Sequence, residues 1–167
     1  IVYGSSKINY FSTILQNFGI KQMILIIGCG FVGETVADSL EKNGKKIMRI
    51  DPRYNNNTIK DNISKAIGAI VSVPTPTNKG HCDDSVITSI ISELGNKIPI
   101  MLKSTVLPDQ LEVYPDNVTY NPEFLRQNHA KLDFKCQKQF ILGGTKEGCK
   151  FWAKIFSYLS DDNLDKS

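Results

Sequence analysis

The sequence predicts an α/β fold, a doubly wound and mostly parallel sheet in a single domain. Two observations carry this. From residue 23 onward, apolar runs too short for helices alternate with helical segments. The runs are apolar nearly throughout, the pattern of strands covered on both faces. The chain has 167 residues, and at that length roughly 70% of the extended-chain surface can be buried, enough for one real core.

Residues 1–22 read as an extension ahead of the domain, with a short helix expected at 10–18. The domain spans 23–160. It begins with a strand at 23–27, a helix at 30–42 closed by Asn43-Gly44, and a strand at 46–50. After the polar run Asn55-Asn56-Asn57-Thr58 comes a less legible stretch to Lys65. A strand is then expected at 69–73, ended by Pro74 and Pro76. Asp83 or Asp84 caps a helix running to about Leu94, and "IPIMLK" forms the next strand. A strand at 118–120, a helix at 122–131, a strand at 140–143 and a helix at 146–159 follow, with 161–167 as a tail.

Composition excludes several classes. Hydrophobic residues make up 41% and charged residues 22%, an ordinary globular balance. The net charge is +3, but Lys and Arg are scattered without a dense stripe or interleaved aromatics, so nucleic acid is not an expected partner. No apolar run is long enough to span a membrane, and residues 1–22 lack the apolar core of a secretory signal, so a cytoplasmic protein is expected. Cys29, Cys82, Cys136 and Cys149 form no CxxC pair and no metal-ligand spacing with His81 and His129; they read as reduced thiols, and no metal is expected. His81 beside Cys82 has no orienting third group and reads as a loop residue.

The stretch "ILIIGCGFVGE" places Gly28, Gly30 and Gly33 in GxGxxG spacing, after a strand and at the opening of a helix. Gly28 permits a tight turn, Gly30 lets the backbone approach a pyrophosphate, and Gly33 lets the helix pack close to the strand. Phe31 and Val32 lie in the first helical turn, whose free N–H groups face the anion. Cys29 reads as a small filler in this loop. The second strand ends in Asp51, 18 residues after Gly33, where a carboxylate accepts hydrogen bonds from the adenosine ribose hydroxyls. The same carboxylate repels a 2′-phosphate, so NAD is favoured over NADP, although Arg53 two residues on works against that preference.

Three more stretches stand at C-terminal ends of predicted strands, the edge where doubly wound sheets bind ligands. They are "VSVPTPTNKGHCDDS", "LKSTVLPDQ" and "YNPEFLRQ". With the glycine loop, in this order, they resemble the UDP-glucose and GDP-mannose dehydrogenase family of nucleotide-sugar 6-dehydrogenases, over about residues 23–159. The resemblance implies a Rossmann-like NAD-binding domain of an enzyme that oxidises the sugar C6 alcohol to a carboxylate by two hydride transfers. It implies that Val73, Pro74 and Thr75 border the dinucleotide, and that Ser104 and Thr105 lie near the nicotinamide, Thr105 helping to position the alcohol or a water. It implies that Glu123 acts on water in thioester hydrolysis, from a helix started by Pro122, and that Phe124, Leu125 and Arg126 continue toward the sugar. Lys103 reads equally well as a solvated cation at a strand end.

The family's cysteine nucleophile and sugar-nucleotide domain have no counterpart here, so Glu123 reads as half of a site. Gln127 and Gln139 stand where many relatives carry charges, which weakens the expectation for substrate more than that for NAD. The expected partners are NAD and, once the other domains are supplied, a UDP- or GDP-sugar. A homodimer or a separate catalytic chain is a further expected partner, the latter carrying the remaining domains. The alternatives are a non-catalytic dinucleotide-binding module or regulatory relic, and a small Rossmann dehydrogenase of another kind, for which no acid-base pair is visible.

Overall fold

A computed structural model describes residues 23–78, 81–137 and 139–161. The expected extension at 1–22, and the tail beyond Asp161, lie outside the described residues. The first unit is β1 (Met23–Ile27), α1 (Phe31–Lys42) and β2 (Lys46–Ile50). A short helix α2 (Ile59–Asn62), capped by the Thr58 hydroxyl, and a 3-10 turn lead into β3 (Ala66–Val71). A two-residue hairpin of β4 (Thr77–Asn78) and β5 (His81–Cys82) precedes α3 (Ser85–Leu94) and β6 (Ile100–Leu102). Then come α4 (Pro108–Leu111), β7 (Val118–Tyr120), α5 (Ala130–Cys136), α6 (Lys146–Ile155) and α7 (Tyr158–Asp161).

Five strands form one parallel sheet in the order β2-β1-β3-β6-β7. Alternation along each strand divides its side chains between two cores. Leu25, Ile27, Ala69, Val71, Ile100 and Leu102 pack with Ile87, Ile91 and Leu94 of α3 on one face. Ile24, Ile26, Ile70 and Met101 pack on the other with Val36, Ala37 and Leu40 of α1, Phe134 of α5 and Trp152 of α6. Both faces are covered, which is why these strands read as unbroken apolar runs.

The strand order reverses at β1: β2 lies on one side and β3 on the other. Such a switch point splays the connections apart and opens a crevice at the strand C-termini. The ladder continues one residue past each strand. Gly28 N–H donates to Ile50 O, Ser72 to Ile27 O, Lys103 to Val71 O and Asn121 to Leu102 O, at 2.8 to 3.0 Å. Gly28, Ser72, Lys103 and Asn121 therefore stand side by side along one edge.

Several expected elements differ. The third strand ends at Val71, so Val73 belongs to the loop. The expected strand at 140–143 is reduced to one antiparallel bridge between Gly143 and Tyr120. The helix expected at 122–131 is not formed there: a 3-10 turn at Gln127–His129 opens onto α5 at Ala130. Asn121 continues the extended chain of β7, as the residue before a proline prefers, and Pro122 thus prolongs a strand instead of starting a helix. The last helix breaks after Ile155 and resumes at Tyr158.

Candidate functional site

The glycine loop is held by close packing. Gly28 has φ +89°, and a Cβ there would lie 2.6 Å from Ser72 O. At Gly33 a Cβ would collide with Gly28 O, and Ser72 Oγ, 2.7 Å from that position, itself donates to Gly28 O at 2.9 Å. Gly30 is different. Its backbone is extended, and a Cβ there would meet nothing within 4 Å. Its lack of a side chain answers no need of the protein's own packing and leaves open space at the N-terminus of α1, where a ligand can approach the backbone. Cys29 is buried, and burial together with the nearby Glu34 pushes its thiol up to about 11, so it fills space as an inert neutral group.

A cleft of about 400 Å³ opens above this edge. It is lined by Gly30, Phe31 and Val32 from the loop and α1, by Arg53, by Ser72, Val73, Pro74 and Thr75, by Lys103, Ser104 and Thr105, and by Glu123 and Leu125. Five segments separated in sequence thus meet at one place. Ser104 is buried, and its hydroxyl has no hydrogen-bond partner within the protein. A buried hydroxyl without a partner costs free energy unless something else satisfies it, and this one borders the cleft. The residues present therefore fit a dinucleotide: an open helix N-terminus, backbone free to be approached, and an unsatisfied polar group beside the space.

Asp51 does not itself line the cleft; it is buried behind Arg53, with its carboxylate fully engaged. Cys29 N–H donates to Oδ2 at 2.8 Å, and Arg53 donates through its backbone N–H and Nε to Oδ1 (both 3.0 Å) and through Nη2 to Oδ2 (2.7 Å). The Arg53 guanidinium holds the Asp51 carboxyl well below the usual carboxylate range, against the opposing effect of burial. The acceptor expected for the ribose is in place, but Arg53 covers it.

Lys103 corrects the expectation of a solvated cation. Its side chain is 3% exposed, with Nζ 2.8 Å from Glu123 Oε2 and donating to Asn121 Oδ1 at 2.6 Å. Burial lowers its pKa, and Glu123 opposes that shift. Glu123, 13% exposed, also accepts from the N–H groups of Phe124 and Leu125 through Oε1, at 3.0 and 3.1 Å. This local turn replaces the expected helix. Phe124 is 72% exposed and does not line the cleft. Arg126 also points elsewhere: Asp133 accepts from its backbone N–H and its guanidinium. The N–H groups of Phe124, Leu125 and Arg126 are thus all bound to carboxylates of this chain. Sequence reasoning missed Ser72, Lys103 and Asn121 as site residues. The signal was a polar residue directly after a strand: Ser72 after β3, Lys103 after β6 and Asn121 after β7.

The profile of the UDP-glucose/GDP-mannose dehydrogenase family, NAD binding domain, matches residues 53–159, more than half of the chain. The chain belongs to that family. A curated UDP-glucose 6-dehydrogenase of Rickettsia felis is 28% identical over 155 residues, covering 84% of this chain and 33% of the relative. A GDP-mannose dehydrogenase structure from Pseudomonas aeruginosa superimposes with a TM-score of 0.68 at 20% identity, over 82% of this chain and 44% of that one. A UDP-glucose dehydrogenase structure from the archaeon Pyrobaculum islandicum gives a TM-score of 0.71 at 17% identity, over 84% and 45%. These likenesses show the shared fold. The chain spans about a third of the curated relative's length, and what it matches is the NAD binding domain of the family. The family match begins at Arg53, so the reading of the glycine loop and of Asp51 rests on the geometry above.

Proposed function

We propose that this domain serves a nucleotide-sugar 6-dehydrogenase that oxidises the C6 alcohol of a UDP- or GDP-sugar to a carboxylate with NAD. The observation that carries the proposal is the gathering of the glycine loop, the Val73–Pro74–Thr75 segment, the Ser104–Thr105 pair and Glu123 around one cleft. Bound NAD would accept hydride from the sugar. The chain's own part is to bind and orient. Gly30 and the first-turn N–H groups at Phe31 and Val32 hold the pyrophosphate, Val73, Pro74 and Thr75 flank the dinucleotide, and Ser104 supplies a hydrogen bond near the nicotinamide.

Thr105 positions the reacting alcohol or a water, while Glu123 is the base that takes a proton from water. Lys103 and the Phe124 and Leu125 N–H groups fix the Glu123 carboxylate in place. The cysteine nucleophile and the sugar-nucleotide pocket would come from further sequence or from a separate chain. A homodimer and a cytoplasmic location suit such an enzyme. Among the described residues no helix is long and apolar enough to cross a membrane.

The test is complementation. The chain is mixed with separately produced middle and C-terminal domains of a relative, and NADH formation from UDP-glucose or GDP-mannose is followed. Activity that requires both parts and falls at least about a hundredfold with Glu123→Gln supports the proposal. Full turnover by this chain alone, or activity indifferent to Glu123→Gln, would overturn it.

A further inference from the structure

We propose that Arg53 sets the cofactor preference of this domain by occupying the acceptors that the adenosine ribose needs. The inference rests on the dinucleotide-binding reading of the cleft. An ionised carboxylate offers about four acceptor positions on its two oxygens. On Asp51 all four are taken: by Arg53 N–H and Nε on Oδ1, and by Arg53 Nη2 and Cys29 N–H on Oδ2. The Asp51 side chain is 4% exposed, so no bare face remains for a further donor. A ribose hydroxyl that must donate to Asp51 finds no acceptor until the guanidinium leaves.

Arg53 is exposed and well placed to bind something else. Its side chain is 56% exposed and lines the cleft, and in this paired position its Cζ already lies 5.2 Å from the centre of the Tyr54 ring, so the guanidinium is held at the cleft surface where an incoming anion can reach it. NAD binding must therefore break a two-pronged ion pair before it forms its own ribose bonds. A 2′-phosphate has no such requirement. Paired with Arg53, Asp51 no longer presents a net negative charge, so the repulsion that excludes NADP from such sites is cancelled. The guanidinium then offers the phosphate a fork-shaped set of donors. The consequence is a domain that binds NAD more weakly than its carboxylate alone would allow, and that admits NADP.

The experiment is calorimetric titration of the full chain, as wild type, Arg53→Ala and Arg53→Lys, with NAD and with NADP, each protein first checked by thermal melting. Arg53→Ala is expected to tighten NAD and weaken NADP, raising the NAD-to-NADP affinity ratio by about tenfold or more, the scale of one charge-assisted hydrogen bond. Arg53→Lys keeps the charge but cannot span both oxygens of Asp51, and its ratio is expected to fall between the two. NAD binding with a ratio within twofold of wild type in Arg53→Ala overturns the role of Arg53 and leaves the cofactor site standing. Weaker NAD binding in Arg53→Ala also overturns it, since Arg53 would then support the ribose site. Failure of all three proteins to bind either dinucleotide removes the reading beneath it as well.

Discussion

Lys103 Nζ lies 2.8 Å from Glu123 Oε2 and 2.6 Å from Asn121 Oδ1, joining the end of β6 to the loop after β7 in a buried cluster beside the cleft. Asn121 extends the link by donating to Ile141 O at 2.7 Å. A pair buried to this degree is costly to break from one side, because the remaining charge loses its partner but stays out of water. Lys103→Met is expected to cost about 3 kcal/mol of unfolding free energy. The double variant Lys103→Met/Glu123→Gln should recover a substantial part of that loss, since neither charge is then stranded. Urea unfolding of the wild type, both single variants and the double variant measures the coupling; additive losses would show that the two residues do not act as a pair.

Asp51 ties stability to pH in a defined direction. Its carboxyl is held below the ordinary range chiefly by Arg53, so the folded state binds the proton more weakly than the unfolded chain does. The stability this contributes is complete above about pH 4, the ordinary carboxylate pKa, and is lost as pH falls below it. Arg53→Ala removes the main cause of the shift. Urea midpoints of wild type and Arg53→Ala should therefore differ at pH 7 and draw together toward pH 3. A gap that stays constant across that range would contradict the assignment.

Two glycines of the same motif should respond oppositely to alanine. At Gly33 a methyl group would strike the Gly28 carbonyl and crowd Ser72 Oγ, and backbone cannot yield cheaply, so Gly33→Ala is expected to cost about 2 kcal/mol or more. At Gly30 there is open space and an extended backbone, so Gly30→Ala should change stability by no more than about 0.5 kcal/mol. Thermal melts of the two variants provide the comparison.

Trp152 is fully buried on the α1 side of the sheet, edge-on to Phe151 at 5.0 Å between ring centroids. A Cβ at Gly68 would lie 2.9 Å from its ring, so Gly68 in β3 makes room for the indole. Trp152→Ala leaves a cavity in that layer and is expected to cost about 4 kcal/mol in chemical denaturation. A loss below about 1 kcal/mol would mean that this layer packs differently.

The sequence made the first strand, helix and strand readable, because each is set by local features: an apolar run, a glycine turn and an Asn43-Gly44 stop. The stretch from Asn121 to Ala130 was not readable by the same means. Pro122 suits either a helix start or an extended segment, and what decides between them is remote. Asn121 N–H is bound to Leu102 O, and Lys103 reaches across to Asn121 and Glu123. Lys103 was ambiguous for the same reason, since its counter-charge arrives from twenty residues away. The glycine spacing and Asp51 were legible as chemistry, but the Arg53 fork over Asp51 is a rotameric choice that spacing does not encode. The residue past 140 that meets β7 is a single bridge, too short to carry a periodic signal.

If the space at Gly30 belongs to a dinucleotide, calorimetric titration of NAD into wild type and Gly30→Val will show it. A valine there meets no protein atom within 4 Å of its Cβ position, so the fold should persist while the backbone is shielded. Saturable one-to-one binding in the wild type, abolished in a Gly30→Val protein that still melts like the wild type, is the predicted result. Undiminished NAD binding by Gly30→Val, or no binding by the wild type, would mean that the space at Gly30 is not a dinucleotide site.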